Sequence, residues 1–226
     1  MDQPQLVIFD CDGVLVDSEV ISNEVLAHML TAQGLPTTLS ESRLEYQGLL
    51  LSDVASRAEA KLHRALPADW LERYQQRRND AFRDRLEPVT GAAEAVRHVS
   101  AAAIKVCVAS QGRLEKTRLT LGLTGLASLF AQDALFSAAS VARGKPHPDL
   151  FLHAAATMGA PPERCTVIED TASGVTAAVT AGMRALGYAA DSDEQALREA
   201  GAEILGSLAE LPAMLGIEAE RRALQP

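Results

Sequence analysis

Short runs of consecutive apolar residues recur along the chain and are the first structural signal in its sequence. Four of them, rich in β-branched or bulky side chains, lie at residues 6–9, 104–109, 134–136 and 165–168. Continuous apolar runs of this length are typical of parallel strands that are buried on both faces of a sheet. Residues 184–188 and 203–205 are predicted as further strands at the edge of the same sheet.

Segments with a helical pattern separate these runs. They cover residues 91–101, 113–121, 149–158 and 172–181. A glycine directly follows each of the last three, which fits the preference for glycine at helix carboxyl ends. The alternation of strands and helices predicts an α/β fold with a doubly wound, mostly parallel, Rossmann-like sheet.

The segment from residue 18 to residue 87 breaks the alternation, because it contains no convincing strand pattern. An apolar stripe at residues 25–30 predicts one helix, and further helices are predicted at residues 42–47, 52–63 and 69–85. We therefore predict a core formed by residues 1–17 and 88–226 and an all-helical insertion at residues 18–87, here called the helical insertion. Residues 218–226 are expected to form a frayed end.

Charge and cysteine content narrow the class of protein. The formal net charge of −9 disfavours binding to nucleic acids or anionic membranes. The widely spaced Cys11, Cys107 and Cys165 contain no Cys-x-x-Cys pair, so we expect buried, reduced thiols rather than a zinc site. Residues 6–9 are too short for the apolar part of a signal peptide, and no apolar run approaches the length of a membrane span. We expect a cytoplasmic monomer that binds neither nucleic acid nor membrane.

Two pairs of acids follow predicted strands. Asp10 and Asp12 come directly after the first strand, and Gly13 allows the chain to turn behind them. Glu169 and Asp170 follow the strand at residues 165–168. Because ligands bind at the carboxyl ends of parallel strands, these carboxylates are expected around one centre. Burying them requires a cation, for which a divalent metal is the simplest candidate. Taken alone, Asp10 and Asp12 could instead belong to an ordinary turn. Glu169 and Asp170 could instead lie at a solvated strand end.

Candidate phosphate-binding groups occur after the second strand and before a later helix. Ser110 ends the second apolar run, and its hydroxyl with the amides of Gln111 and Gly112 could hold a phosphate oxygen. Lys145 lies in a stretch that the neighbouring prolines stiffen, so its ammonium group is restricted in direction. A loop serine and a surface lysine are the alternatives for these two residues.

Taken together, these motifs resemble the haloacid dehalogenase-like hydrolase superfamily. The resemblance rests on the following residues, in order: Asp10, Asp12 and Gly13 with the sequence up to Glu19, then Ser110, then Gly144, Lys145 and Pro146, and finally Glu169, Asp170 and Gly174. The helical insertion resembles the small cap of the phosphoglycolate phosphatase and β-phosphoglucomutase branch. The Asp-Cys-Asp-Gly and Lys-Pro-x-Pro-Asp stretches are also similar to bacterial 6-phosphogluconate phosphatases.

The resemblance implies a magnesium-dependent phosphatase that acts on a small phosphorylated metabolite. It assigns Asp10 as the nucleophile, which becomes an aspartyl-phosphate, and Asp12 as the general acid and base. It also implies that the phosphate is held by Ser110 and Lys145, with Gln111 beside them. The Mg²⁺ ligands that it implies are the Asp10 carboxylate, the Asp12 backbone carbonyl, Asp170 and Glu169.

Several other functions share parts of this pattern. A phosphomutase of the β-phosphoglucomutase type is the nearest alternative, but that branch usually carries an arginine in the cap where residues 47–53 here offer leucines. A haloacid dehalogenase would need neither Asp12 as proton donor nor a metal. A phospho-accepting signalling receiver would not need the helical insertion. An inactive α/β domain would not need every motif position to be filled.

The motifs do not specify the substrate, and 6-phosphogluconate, phosphoglycolate and other sugar or acid phosphates are candidates. Polar residues of the helical insertion that could select it are Glu19, Asn23, Gln47, Arg57, Arg77 and Arg78. A solvated helix surface explains most of these residues equally well.

Overall fold

A six-stranded parallel sheet forms the centre of the molecule. The structure is a computed structural model that describes residues 3–217, so the frayed end predicted at 218–226 lies outside the described residues. The strands are β1 (Leu6–Phe9), β2 (Lys105–Ser110), β3 (Leu135–Ser137), β4 (Cys165–Glu169), β5 (Arg184–Tyr188) and β6 (Glu203–Leu205). Their order is β3-β2-β1-β4-β5-β6, and every pairing is parallel. The predicted doubly wound α/β fold is confirmed.

Helices cover both faces of this sheet and explain why its central strands are continuously apolar. The helices around the sheet are α5 (Ala92–Ala101), α6 (Leu114–Leu123), α7 (Asp149–Met158), α8 (Ala172–Thr180), α9 (Glu194–Glu199) and α10 (Leu211–Met214). Along β1, Val7 and Phe9 pack into the hydrophobic core that contains α5. Leu6 and Ile8 pack into the opposite core, which contains α7 and α8. Every position of β1 is therefore buried, with no polar side of the kind that an exposed sheet face shows.

The helical insertion has a hydrophobic core of its own. It contains α1 (Glu19–Ala32), α2 (Leu39–Tyr46), α3 (Leu51–Leu62) and α4 (Trp70–Arg85). Leu30, Tyr46 and Trp70 belong to this core, whereas Phe82 near the end of α4 packs into the core of the sheet. Helix α4 thus connects the two cores and fixes one wall of the space between them.

Two kinds of boundary differ from the sequence prediction. Helix α2 begins at Leu39 rather than near residue 42, because Thr38 and Glu41 form a capping box in which the Thr38 hydroxyl accepts from the Glu41 amide at 3.2 Å. Ser110 is the last residue of β2, as predicted, whereas Glu169 is the last residue of β4 and not the first residue after it. Both polar side chains are therefore held by strand geometry at the edge of the sheet.

All three cysteines are buried and unpaired, as expected. The Cys11 sulfur lies 3.6 Å from the Thr120 hydroxyl, and burial raises the pKa of the Cys11 thiol. Within residues 3–217, the helices lack the combination of length and apolar character that spanning a bilayer requires.

Candidate active site

A cavity of about 700 Å³ lies between the carboxyl edge of the sheet and the helical insertion. The predicted site residues that line it are Asp10, Asp12, Gln111, Lys145, Glu169 and Asp170. Helices α1, α4 and α6 contribute the opposite and lateral walls. The structure therefore brings together residues that are up to 160 positions apart in the chain, at the edge where parallel α/β sheets bind ligands.

The loop after β1 places Asp10 and Asp12 at this edge. The Asp10 amide donates to the Ile168 carbonyl at 2.9 Å and so continues the ladder between β1 and β4. Gly13 then turns the chain with a φ of +79°, a left-handed conformation that favours glycine. A Cβ at this position would lie 2.1 Å from Oδ2 of Asp170. Glycine is thus required both for the turn and for the close approach of the Asp170 carboxylate.

Lys145 connects acids from two strands. Its Nζ forms ion pairs with Asp10 and Glu169, donates to the Ala109 carbonyl at 3.1 Å, and lies 5.1 Å from the centre of the Phe151 ring. Burial alone would lower the pKa of Lys145, but the two carboxylates outweigh burial and raise it. The side chain is therefore a fixed, buried cation beside Asp10.

Gln111 holds the loop that carries Lys145. Its Oε1 accepts a hydrogen bond from the Lys145 amide at 3.0 Å. Gly144 leaves room for this contact, because a Cβ there would lie 2.6 Å from the Gln111 carboxamide. The side chain of Gln111 thus positions Lys145, and the predicted contact of residue Gln111 with phosphate stays a prediction.

Ser110 lies behind the cavity wall that Gln111 and Gly112 form. The residue is completely buried, and its Oγ accepts a hydrogen bond from the Gly112 amide at 3.0 Å. The hydroxyl thus stabilises the turn after β2 in this conformation. Its predicted contact with phosphate stays a prediction.

Glu169 is anchored to the start of α8. Its Oε2 accepts hydrogen bonds from the amides of Asp170 and Thr171, at 3.1 and 3.0 Å, and from the Thr171 hydroxyl at 2.8 Å. Its Oε1 is paired with Lys145. Gly174 is essential to this arrangement, since a Cβ there would lie 2.0 Å from the Glu169 carboxyl carbon. Glu169 is therefore held rigidly and in turn positions Lys145.

Asp12 has two partners, and the sequence analysis identified neither. Ser18 is the residue before α1, but its side chain does not cap the helix. Its hydroxyl donates to the Asp12 carboxylate instead. Lys116, on the first turn of α6, forms an ion pair with the same carboxylate oxygen. Lys116 could have been recognised as a candidate from its place on a helix that begins just after β2, at the edge of the sheet where the site lies.

These contacts decide the charge state of Asp12. Burial alone would raise the pKa of Asp12, but Lys116, Ser18 and Arg78 together outweigh it and the pKa is lowered. The pKa of Lys116 is raised, because its pairing with Asp12 outweighs burial. Asp12 and Lys116 thus form a partly buried ion pair at the cavity.

The carboxyl groups of Asp10 and Asp170 both have raised pKa values. Burial raises the pKa of Asp10 to about 7, with Glu169 and Asp12 adding to the effect and Lys145 opposing it. Burial also raises the pKa of Asp170 well above its usual value, and the carboxylates of Glu169, Asp10 and Glu19 raise it further. Among the described residues no hydrogen bond to the Asp170 carboxylate is found. A cation bound between Asp10 and Asp170 would stabilise both ionised groups.

The donor set fits magnesium better than a metal that needs an all-protein cage. Within residues 3–217, three or more acidic, histidine or cysteine side chains do not converge as a complete ligand set. Mg²⁺ typically binds one or two protein carboxylates and takes its other ligands from water and substrate phosphate. The carboxylates of Asp10 and Asp170 meet that requirement. Both oxygens of Glu169 are already taken, by Lys145 and by the start of α8.

The structure shows which of the candidate substrate-selecting residues of the helical insertion line the cavity and which lie elsewhere. Those that line the cavity are Glu19, Asn23, Gln47 and Arg78. Arg57 instead donates to the Glu45 carbonyl at 3.2 Å on the outer surface, and Arg77 is exposed. Burial raises the pKa of Glu19 to about 7, with Asp12 as the next cause.

Comparison with known proteins identifies the family of this chain. The chain matches the haloacid dehalogenase-like hydrolase family over residues 7–188. It is 29% identical to the 6-phosphogluconate phosphatase of Escherichia coli K12 over 215 residues, which cover 94% of this chain and 95% of that protein. It is 31% identical to the probable pseudouridine-5'-phosphatase of Drosophila melanogaster over 219 residues, 94% of each chain.

A solved structure shows the same architecture. The haloacid dehalogenase family hydrolase of Deinococcus radiodurans R1, determined with bound phosphate and sodium, superposes with a TM-score of 0.79 at 34% sequence identity. The match covers 95% of this chain and 96% of that one. The fold is thus shared with this solved structure over 95% of the chain.

Proposed function

Because this chain belongs to the haloacid dehalogenase-like hydrolases, we propose that it is a magnesium-dependent phosphatase that hydrolyses a small phosphorylated sugar or sugar acid through a phosphorylated Asp10. The observation that carries the proposal is the position of the Asp10 carboxylate. It is buried at the carboxyl end of β1, paired with Lys145, and faces a cavity that Asp12 and Asp170 also line.

In the first step, an oxygen of Asp10 attacks the phosphorus atom while the bond to the leaving alcohol breaks. Two unit charges about 4 Å apart repel by about 4 kcal/mol at an effective dielectric constant of 20, so attack by a carboxylate on a phosphate dianion needs local positive charge. Lys145 supplies one charge. Asp10, Asp170 and the Asp12 carbonyl would hold Mg²⁺, which would supply further positive charge for the phosphoryl oxygens.

Asp12 moves the protons of the reaction. It donates a proton to the departing alcohol oxygen, which leaves the phosphoryl group on Asp10. It then accepts a proton from the water that attacks the phosphorus atom and regenerates the Asp10 carboxylate. Inorganic phosphate is the second product, so the atoms of one substrate and one water are accounted for.

The size of the cavity and the identity of the relatives support a small substrate. A cavity of about 700 Å³ is within the range of sites for small molecules. The relatives are named for 6-phosphogluconate and for pseudouridine 5'-phosphate. Residues 18–87 form the cap over this site and limit the access of bulk water to it, while the described residues 3–17 and 88–217 form the catalytic core.

The test is the release of inorganic phosphate from a panel of sugar and sugar-acid phosphates, with Mg²⁺ and with a chelator. We expect turnover that requires Mg²⁺ and that Asp10→Asn abolishes. The matched control is Asp133→Asn, an exposed acid before β3 at the opposite edge of the sheet, which should retain activity. Turnover by Asp10→Asn equal to that of the wild type would contradict the proposal. A requirement for a bisphosphate sugar would favour the phosphomutase.

A further inference from the structure

Arg78 is a buried cation that forms no ion pair within the described part of the chain, although its charge helps to lower the pKa of Asp12. It lies on α4, is 9% exposed, and lines the cavity. Its guanidinium carbon lies 5.6 Å from the ring centre of Tyr74 and 5.5 Å from that of Phe82. One nitrogen donates to Oδ1 of Asn79 at 3.1 Å, but Nε is buried and has no hydrogen-bond partner. Within residues 3–217, Arg78 forms no ion pair.

Lys116 approaches the same place from the core. Its Nζ lies 5.8 Å from the centre of the Phe82 ring, the ring that Arg78 also contacts. Two cations that line the cavity, one from the helical insertion and one from α6, therefore lie near the same buried aromatic side chain. Lys116 is paired with Asp12, and the nearby Glu19 accepts a hydrogen bond from Asn23 at 3.3 Å.

An unpaired, buried guanidinium is costly, and an anion in the cavity would satisfy it. The planar set of N–H groups of arginine suits the oxygens of a carboxylate or a phosphate. The reacting phosphate is bound elsewhere, by Asp10 and Lys145 and their neighbours. Asp12, which protonates the leaving oxygen, is the group that contacts Lys116. The cations therefore face the leaving part of the substrate.

We propose that Arg78 and Lys116 form a second anion-binding site, which recognises a carboxylate or a further phosphate at the end of the substrate remote from the reacting phosphate. The proposal rests on the proposed function and names its substrate class: phosphate monoesters with two anionic ends. Sugar-acid phosphates and sugar bisphosphates belong to this class, whereas the phosphates of neutral alditols and sugars do not.

The first experiment compares matched substrates with the wild-type enzyme. 6-Phosphogluconate and glucitol 6-phosphate differ at C1, where the first has a carboxylate and the second a hydroxymethyl group. Fructose 1,6-bisphosphate and fructose 6-phosphate differ by the second phosphate. We expect kcat/KM to be about 10- to 100-fold higher for the doubly anionic member of at least one pair, as for a lost hydrogen bond to a charged group. The pair that shows the preference identifies the anion.

The second experiment tests whether Arg78 is responsible for the preference for a doubly anionic substrate. Arg78→Gln should reduce that preference to a ratio of about one, chiefly through KM. The adjacent, exposed Arg77→Gln is the matched control and should keep the wild-type ratio. Arg78→Lys, which keeps the charge and loses the planar set of donors, should retain part of it. This variant serves as the test if circular dichroism shows that Arg78→Gln does not fold.

The outcomes separate this proposal from the proposed function. Equal kcat/KM values within both pairs, or an unchanged ratio in Arg78→Gln, would overturn the second anion site and leave the phosphatase standing. If p-nitrophenyl phosphate and every member of the panel released no phosphate, the proposed function itself would fail.

Discussion

In the proposed mechanism Asp12 has to carry a proton when the leaving group departs, yet its surroundings favour the ionised carboxylate. Lys116, Ser18 and Arg78 lower the pKa of Asp12 although burial alone would raise it. Of these, Lys116 forms the direct ion pair. At the scale of single residues, Lys116 therefore sets the pH at which Asp12 can donate a proton, although it does not touch the reacting carboxylate Asp10 in this structure.

Lys116→Gln should raise the pKa of Asp12. Since Asp12 donates only when it is protonated, kcat for an alkyl phosphate should decline as pH rises through this pKa. We expect the decline to move roughly one pH unit higher in the variant, because one nearby opposite charge has been removed. The profile with p-nitrophenyl phosphate is the control, since its leaving group needs no proton. An alkyl phosphate profile identical to that of the wild type would contradict this role.

At the scale of elements, the site depends on how α8 starts. The amides of Asp170 and Thr171 and the Thr171 hydroxyl hold Glu169, and Glu169 holds Lys145. The Thr171 hydroxyl also caps α8 by accepting from the Gly174 amide at 3.1 Å. One helix terminus thus connects the stability of α8 to the position of the buried ammonium group.

Gly174→Ala should damage both stability and activity. Its Cβ would occupy the place of the Glu169 carboxylate, and such overpacking typically costs about 1–3 kcal/mol. The matched control is Gly122→Ala in α6, where a Cβ would meet nothing within 4 Å; we expect a gain of about 0.5–1 kcal/mol there. Thermal unfolding and kcat/KM measure both effects. A Gly174→Ala enzyme as stable and as active as Gly122→Ala would show that Glu169 need not be held in place.

The elements were predictable from sequence to the extent that burial dictates composition. The central strands are apolar at successive positions because both faces of the sheet are covered. Their positions could therefore be predicted from the sequence. The roles of side chains that depend on a tertiary contact could not be predicted in this way. Ser18 has the sequence signature of a helix cap but donates to Asp12. Arg77 and Arg78 are equivalent in sequence, and only the rotation of α4 relative to the cavity makes Arg78 buried and Arg77 exposed.

At the scale of the whole molecule, negative charge is concentrated where the sheet and the helical insertion meet. The protein has a net charge of −9, and Asp10, Glu19 and Asp170 are acids whose pKa values are raised, chiefly by burial. Their folded-state pKa values exceed those of the unfolded chain, so between about pH 4 and pH 7 the folded state retains protons that the unfolded state has released. Through these groups, stability without metal falls as pH rises across that window.

Asp170→Asn should remove part of this loss of stability at high pH in the absence of metal. We expect the variant to melt a few °C above the wild type at pH 8 and near it at pH 5, since one uncompensated carboxylate has been removed. Added Mg²⁺ should raise the melting temperature of the wild type at pH 8 and have much less effect on Asp170→Asn. Asp133→Asn is again the control. Equal stabilisation of all three proteins by Mg²⁺ would exclude Asp170 as a ligand.

The most direct test of the account is the mass of the protein during turnover. In Asp12→Asn, acetyl phosphate should still phosphorylate Asp10, because acetate leaves without a proton, whereas attack by water is slowed by the loss of the base. After mixing with Mg²⁺ and acid quenching, we predict a mass increase of one phosphoryl group that peptide mapping places on Asp10. It should be absent when Asp10→Asn is added to the same variant. Phosphate release without any adduct, or an adduct on another residue, would contradict the central claim.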